Sequence, residues 1–117
     1  MSEEEQKEFW KRFYEALDSG DADTASALFP DGTKIYLWDG TVFETKAQFK
    51  AWFVELYSRS DNAQRSITKF EVDGNTSRVV VVLKATVRGK EKVVELEHVF
   101  EFEGDELKEV KVEIHPL

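Results

Sequence analysis

The sequence predicts an α+β domain with three helices, in its N-terminal half, on a curved, mostly antiparallel six-stranded sheet. Two segments that open on capping boxes carry apolar residues at 3–4 spacing, the mark of amphipathic helices. From residue 63 onward the pattern changes to period two, broken by glycine-marked turns, which reads as a run of hairpin-linked strands. The apolar parity also changes once within the first of those strands, and only a bulge, which bends a strand, reconciles the two halves. Together these place helices over one face of a sheet that closes towards a cone.

Ser2-Glu3-Glu4-Glu5 supplies the first capping box, with three acids at the positive end of the helix dipole. The helix carries Phe9, Trp10, Phe13, Tyr14, Ala16 and Leu17 as its stripe and stops at Ser19-Gly20. Asp21 or Asp23 caps a short second helix through Ala25, Leu28 and Phe29, ended by Pro30-Asp31-Gly32. Thr33 to Trp38 and Thr41 to Glu44 flank Asp39-Gly40, a two-residue hairpin signal that pairs Tyr36 with Phe43 and Leu37 with Val42. Thr45-Lys46-Ala47-Gln48 opens a third helix with Phe49, Trp52, Phe53, Leu56 and Tyr57 as its buried stripe, ending near Ser58 to Ser60. Four strands follow: Ala63 to Val72, Ser77 to Val87, Glu91 to Phe102 and Glu106 to His115.

Within the third of these, Val94, Leu96, His98, Phe100 and Phe102 share one face, and Glu95, Glu97, Glu101 and Glu103 point to the other. His98 therefore lies in line with four large apolar side chains. Either it is a core histidine satisfied by one hydrogen bond, or it belongs to a polar site. A two-residue turn at Gly89-Lys90 sets Val81 opposite His98 and Leu83 opposite Leu96, and the apolar set Val79, Val81, Leu83 and Ala85 matches that face. In the last strand Val110, Val112 and Ile114 turn inward, which needs an odd-length or bulged turn at Gly104 and leaves Lys111, Glu113 and His115 in solvent.

Arg65 shares parity with Ile67, whereas Phe70 and Val72 have the opposite parity, so a bulge between Ile67 and Phe70 points Arg65 inward. The other option is an edge arginine snorkelling to water. A buried guanidinium needs a carboxylate, and Asp18, four residues after Tyr14 on one edge of the first helix, is the candidate. An acid near a helix C-terminus is opposed by the dipole unless a cation partners it. Read without that partner, Asp18 is an exposed acid at a helix end.

Residues 1–117 form a single domain, long enough to bury a core without staples. No cysteine is present, which excludes disulfide and thiolate chemistry. Only two histidines occur, and no His/Asp/Glu cluster has metal-ligand spacing along the chain, so no metal is expected. A net charge of −8 argues against nucleic acid and anionic membranes as partners. There is no apolar run of spanning length and no targeting signal, so a cytoplasmic monomer is the expectation. Nine Phe, three Tyr and three Trp suggest a large, rigidly walled interior.

The element order resembles the NTF2-like fold, shared by ketosteroid isomerases, dehydratases and non-catalytic binding domains, and that likeness implies a deep apolar cavity. Tyr14, Asp18, Arg65 and His98 aim at it, as two dyads: Tyr14 with His98, and Asp18 with Arg65. No serine, cysteine or lysine is clearly placed as a nucleophile. No carboxylate is placed on the sheet as an isomerase-type general base. A fixed cation beside a phenol and an imidazole suits deprotonating a flat aromatic substrate and holding the resulting anion.

The stretches Phe13 to Ala25 (FYEALDSGDADTA), Leu37-Trp38-Asp39-Gly40 and Ala63-Gln64-Arg65 resemble the LuxSit-type luciferases designed de novo on an NTF2-like scaffold. The likeness runs ungapped over almost the whole chain, is strongest in the first seventy residues and keeps His98 in place. The single methionine, Glu/Lys-filled surfaces and short turns fit an idealised sequence. The resemblance implies oxidation of a coelenterazine-type imidazopyrazinone, diphenylterazine, by O2 as co-substrate, without cofactor or metal. It gives Arg65, oriented by Asp18, the substrate anion, and Tyr14 and His98 the polar core. The candidate walls are Phe13 and Leu17 of the first helix, Leu37 and Trp38 of the hairpin, and Phe49, Trp52, Phe53 and Leu56 of the third helix. Val81, Leu83, Leu96, Phe100, Val110 and Val112 complete them from the sheet. A ligand-binding or scaffold protein with the same cavity and no turnover is the other reading.

Overall fold

The computed structural model describes all of residues 1–117. Helix α1 (Glu3–Asp18) and α2 (Ala22–Ala27) precede a small hairpin, β1 (Lys34–Tyr36) and β2 (Val42–Phe43). Helix α3 (Lys46–Ser58) leads into four long strands: β3 (Ser60–Asp73), β4 (Thr76–Val87), β5 (Lys90–Glu103) and β6 (Glu106–Pro116). The sheet order is β2-β1-β6-β5-β4-β3, antiparallel except for β1 against β6. This is the NTF2-like fold that the element order implies, with a curved, unclosed sheet.

Both capping boxes form as the sequence predicts, Ser2 with Glu5 and Thr45 with Gln48, and Asp21 caps α2 through the backbone N–H of Thr24. Each satisfies amide donors that the first turn of a helix leaves without partners. Gly20 ends α1 in the left-handed region (φ +73°), and the Tyr57 ring fills the space where a Cβ would stand. Tyr57 Oη also donates to the Asp18 carbonyl at 3.4 Å, so α3 braces the C-terminus of α1.

The core lies between α1 and the sheet, where Phe9, Phe13 and Tyr14 pack edge-on against Phe100 at 6.1–6.3 Å between ring centroids. Edge-to-face geometry sets the positive rim of one ring on the negative face of another. Trp10, Val79, Val81 and Phe100 are fully buried.

Three expectations on register need correction. In the first hairpin Ile35 pairs with Phe43 and Tyr36 with Val42, one residue from the expected pairing. The loop holds three residues, Trp38-Asp39-Gly40: Gly40 N–H donates to Leu37 O, Leu37 N–H to Thr41 O, and the Asp39 carboxylate accepts from Thr41 N–H. A two-residue type I′ turn requires Asp39 itself at positive φ, and only Gly40 adopts it. In the β4–β5 hairpin the turn residues are Arg88-Gly89, both at positive φ, so Val87 pairs with Lys90 and Val79 with His98. This two-residue slip leaves every side chain on its expected face, because strand faces repeat every two residues. Finally, β3 begins at Ser60, three residues early, and carries an extra irregularity between Asp61 and Gln64, where Asn62 is left-handed.

The inferred bulge is present: the β3–β4 register shifts between Ile67 and Lys69, so Arg65 opposes Leu83, Ile67 opposes Val81 and Phe70 opposes Val79. All of them thereby share the inward face. Ile67 and Phe70 nonetheless stay partly exposed on this edge strand, where Trp10 and Lys7 of α1 pack against the Phe70 ring. A second shift, between Glu101 and Phe102, makes Lys108 the extra residue of β6 and turns Val110 and Val112 inward.

Candidate active site

Sheet curvature, α1 and α3 enclose a cavity of about 310 Å³, inside the range of sites for drug-sized ligands. Of its 25 lining residues only Ser60, Arg65, Lys92 and His98 are polar, and none is a carboxylate. Twelve of the fourteen expected wall residues line it. Val81 and Phe100 do not: both are fully buried, Phe100 under the rings of α1 and Val81 between its strand partners Ile67 and Leu96. Phe29, Ile35, Tyr57, Leu107 and Ile114 are walls that the sequence reading missed. The parallel β1–β6 pairing brings several of these together from distant parts of the chain.

The α3 stripe is less buried than expected. Phe49 and Phe53 are buried, Trp52 and Tyr57 half-buried, and Leu56 is 41% exposed. These residues cover empty space instead of a packed sheet, so solvent reaches their outer edges. Trp38 and Leu56 therefore form an apolar rim at the mouth.

All four expected polar residues meet at one end of this cavity, in the expected dyads. Asp18 grips Arg65 twice: Oδ1 accepts from Nη1 at 2.6 Å, and Oδ2 from the Arg65 backbone N–H at 3.0 Å. That grip fixes both the strand and the guanidinium. The Arg65 side chain is 8% exposed, its Nε is buried with no partner, and Nη1 to Asp18 is its one hydrogen bond. Tyr14 Oη lies 3.0 Å from His98 Nδ1, and the two rings sit 5.4 Å apart. His98 Nε2 makes no hydrogen bond within the protein. Arg65 and His98 face the cavity, whereas Tyr14 and Asp18 stand behind them and do not line it.

The electrostatics follow from burial. The imidazole of His98 is held down to about 3, first by loss of water and second by the Arg65 charge. Burial pushes the Tyr14 phenol up, and the Arg65 charge only partly opposes this. At neutral pH the site therefore holds the Asp18–Arg65 ion pair, a neutral imidazole and a neutral phenol.

The lowered His98 pKa has a consequence for stability. Between about 3 and its ordinary value near 6.5, the unfolded chain binds a proton that the folded chain does not. Stability linked to His98 is thus fully present above pH 6.5 and is lost as pH falls towards 3. Urea unfolding of the protein and of His98→Phe, at pH 7 and at pH 4.5, should show the parent losing about 1.4 kcal/mol more per pH unit below 6.5. Parallel pH profiles for the two proteins would refute a buried neutral His98.

One polar grouping not visible in linear spacing forms on the outer face of the sheet. Glu97 and Glu113 are cross-strand partners, and His115 Nε2 lies 3.7 Å from an oxygen of each. Arg78 already pairs with Glu97, and the group is separate from the cavity face.

A curved sheet, three helices and one polar end in an aromatic cavity define an NTF2-like small-molecule domain. Residues 10–110 match the SnoaL-like domain, and the chain belongs to that family. Among solved structures it is similar to a putative SnoaL-like polyketide cyclase from Shewanella denitrificans OS-217 (TM-score 0.85, 13% identity, covering 97% of this chain and 92% of that one). An NTF2-like protein of unknown function from Burkholderia pseudomallei K96243 gives TM-score 0.85 at 15% identity, covering 98% and 92%. An LEH-like epoxide hydrolase of M. tuberculosis gives 0.80 at 14%, covering 95% and 83%. At such identities the likeness is one of fold. No curated protein matches the chain.

Proposed function

We propose that this chain is a luciferase of the designed LuxSit type. It oxidises an imidazopyrazinone such as diphenylterazine with O2, releasing CO2 and light and using no cofactor. The observation that carries this is Arg65, pinned by Asp18 through Nη1, with Nη2 unpaired and its side chain lining the end of an aromatic cavity. The substrate reacts as its anion. In a site stripped of water, a preorganised cation stabilises that charge far more than bulk water would. The anion gives an electron to O2, the resulting pair combines to a peroxide, and the peroxide closes to a dioxetanone. Loss of CO2 leaves the excited amide. Leu17, Phe53, Leu96 and the other apolar walls exclude water and hold the emitter rigid.

The cyclase and hydrolase activities named for structural neighbours find less support, because no carboxylate faces the cavity as a general acid or base. A binding domain without turnover remains the competing reading. Mixing the purified protein with diphenylterazine in air should give blue emission far above that of serum albumin. Substrate-induced thermal stabilisation with emission no higher than albumin would overturn the luciferase reading in favour of a binder.

A further inference from the structure

We infer that the polar end of the cavity is an anion hole built from two donors, Arg65 N–H and His98 Nε2–H, with Tyr14 acting as the residue that sets the imidazole tautomer. The site then takes a flat aromatic anion that arrives already ionised, and the protein removes no proton itself. This rests on the reading above and goes beyond it in the imidazole tautomer set by Tyr14 and in leaving the substrate's proton to solvent.

The inference rests on donor accounting. Tyr14 is buried, does not line the cavity, and its hydroxyl has a single hydrogen-bond partner, His98 Nδ1 at 3.0 Å. A neutral phenol must place its hydrogen on an acceptor or leave a buried donor unmet. The one acceptor in reach is Nδ1, so Tyr14 O–H donates to it and the ring proton sits on Nε2. The field of Arg65 agrees with this direction, since it acts on Tyr14 by favouring negative charge at the phenol oxygen. The reverse arrangement, Nδ1–H donating to Tyr14, would leave the phenol hydrogen without a partner. His98 Nε2 has no protein partner and His98 lines the cavity, so its N–H is free for a ligand. Arg65 also lines the cavity, and since its one side-chain hydrogen bond is Nη1 to Asp18, Nη2 is a second donor group lacking an acceptor in the protein. Both cavity-facing members of the cluster therefore await an acceptor. With no carboxylate in the lining, no resting group there is placed to accept a proton.

Long-range 1H–15N spectra of the ligand-free protein at neutral pH test the tautomer directly. Nε2 should be protonated and Nδ1 bare, by roughly tenfold or more, and Tyr14→Phe should shift His98 towards a mixture of tautomers. Nδ1 protonated in the parent protein would overturn the inference, as would an unchanged tautomer ratio in Tyr14→Phe. The ligand arm uses 4-nitrophenol, whose colour reports its ionisation. The bound probe should ionise at least tenfold more readily than free probe, with His98 still singly protonated in the complex. A doubly protonated His98 there would make it a base and sink the proposal, and so would failure of the phenolate to bind at millimolar concentration. Neither arm requires light emission, so this inference and the luciferase reading can fail independently.

Discussion

Arg65→Ala should lower light emission from diphenylterazine by at least about a hundredfold, the usual loss when one preorganised donor to a reacting anion is removed. Arg65 is the sole permanent cation at the polar end of the cavity, the remaining lysine of the lining being the exposed Lys92. The neutral imidazole of His98 can offer a hydrogen bond but no full charge. Arg65→Lys should fall between the two. An ammonium restores the charge, but it lacks the planar fork that lets one nitrogen engage Asp18 while others face a ligand. The measurement is initial emission at saturating substrate, alongside circular dichroism to establish that each variant is folded. Emission from Arg65→Ala within a few-fold of the parent would remove Arg65 from the mechanism and leave the cavity without a defined chemistry.

How much of this was written in the sequence depends on what each inference needed. The direction of His98 needed only parity, and parity survived a hairpin register that was wrong by two residues. The direction of Arg65 also needed only parity, through the conflict between Ile67 and Phe70 that a bulge resolves. Its partnership with Asp18 followed from an electrostatic misfit, an acid at the negative end of a helix dipole. The hairpin at Asp39-Gly40 fared worse. Its register turns on whether Asp39 or only Gly40 adopts positive φ, and both options use the same residues. Depth was not legible at all. Phe100 looked as suitable for a cavity wall as Leu96, yet α1 buries the first and leaves the second at the void. For the same reason the sequence could place Tyr14 and Asp18 near the site but not behind it.

That placement behind the site means Asp18 should affect stability and light through Arg65 alone. Asp18→Ala removes both acceptors of Arg65 and leaves a guanidinium 8% exposed with no counter-charge. Breaking a buried pair from one side costs about 3–5 kcal/mol. The carboxylate here is 29% exposed, so water already screens the pair and the lower figure, about 3 kcal/mol, is expected. Emission should fall as well, since an untethered Arg65 no longer points its free donors at one place. The double variant Asp18→Ala/Arg65→Met separates the two effects. Methionine fills much of the same volume without a charge to desolvate, so the double variant should regain most of the lost stability. It should nonetheless remain as dark as Arg65→Ala, because methionine offers the substrate anion no cation. Urea midpoints for the parent, both single variants and the double give the coupling between the residues. A double variant as unstable as Asp18→Ala would assign the pair a structural role, and one that recovered its emission would show that the cavity walls suffice without a cation.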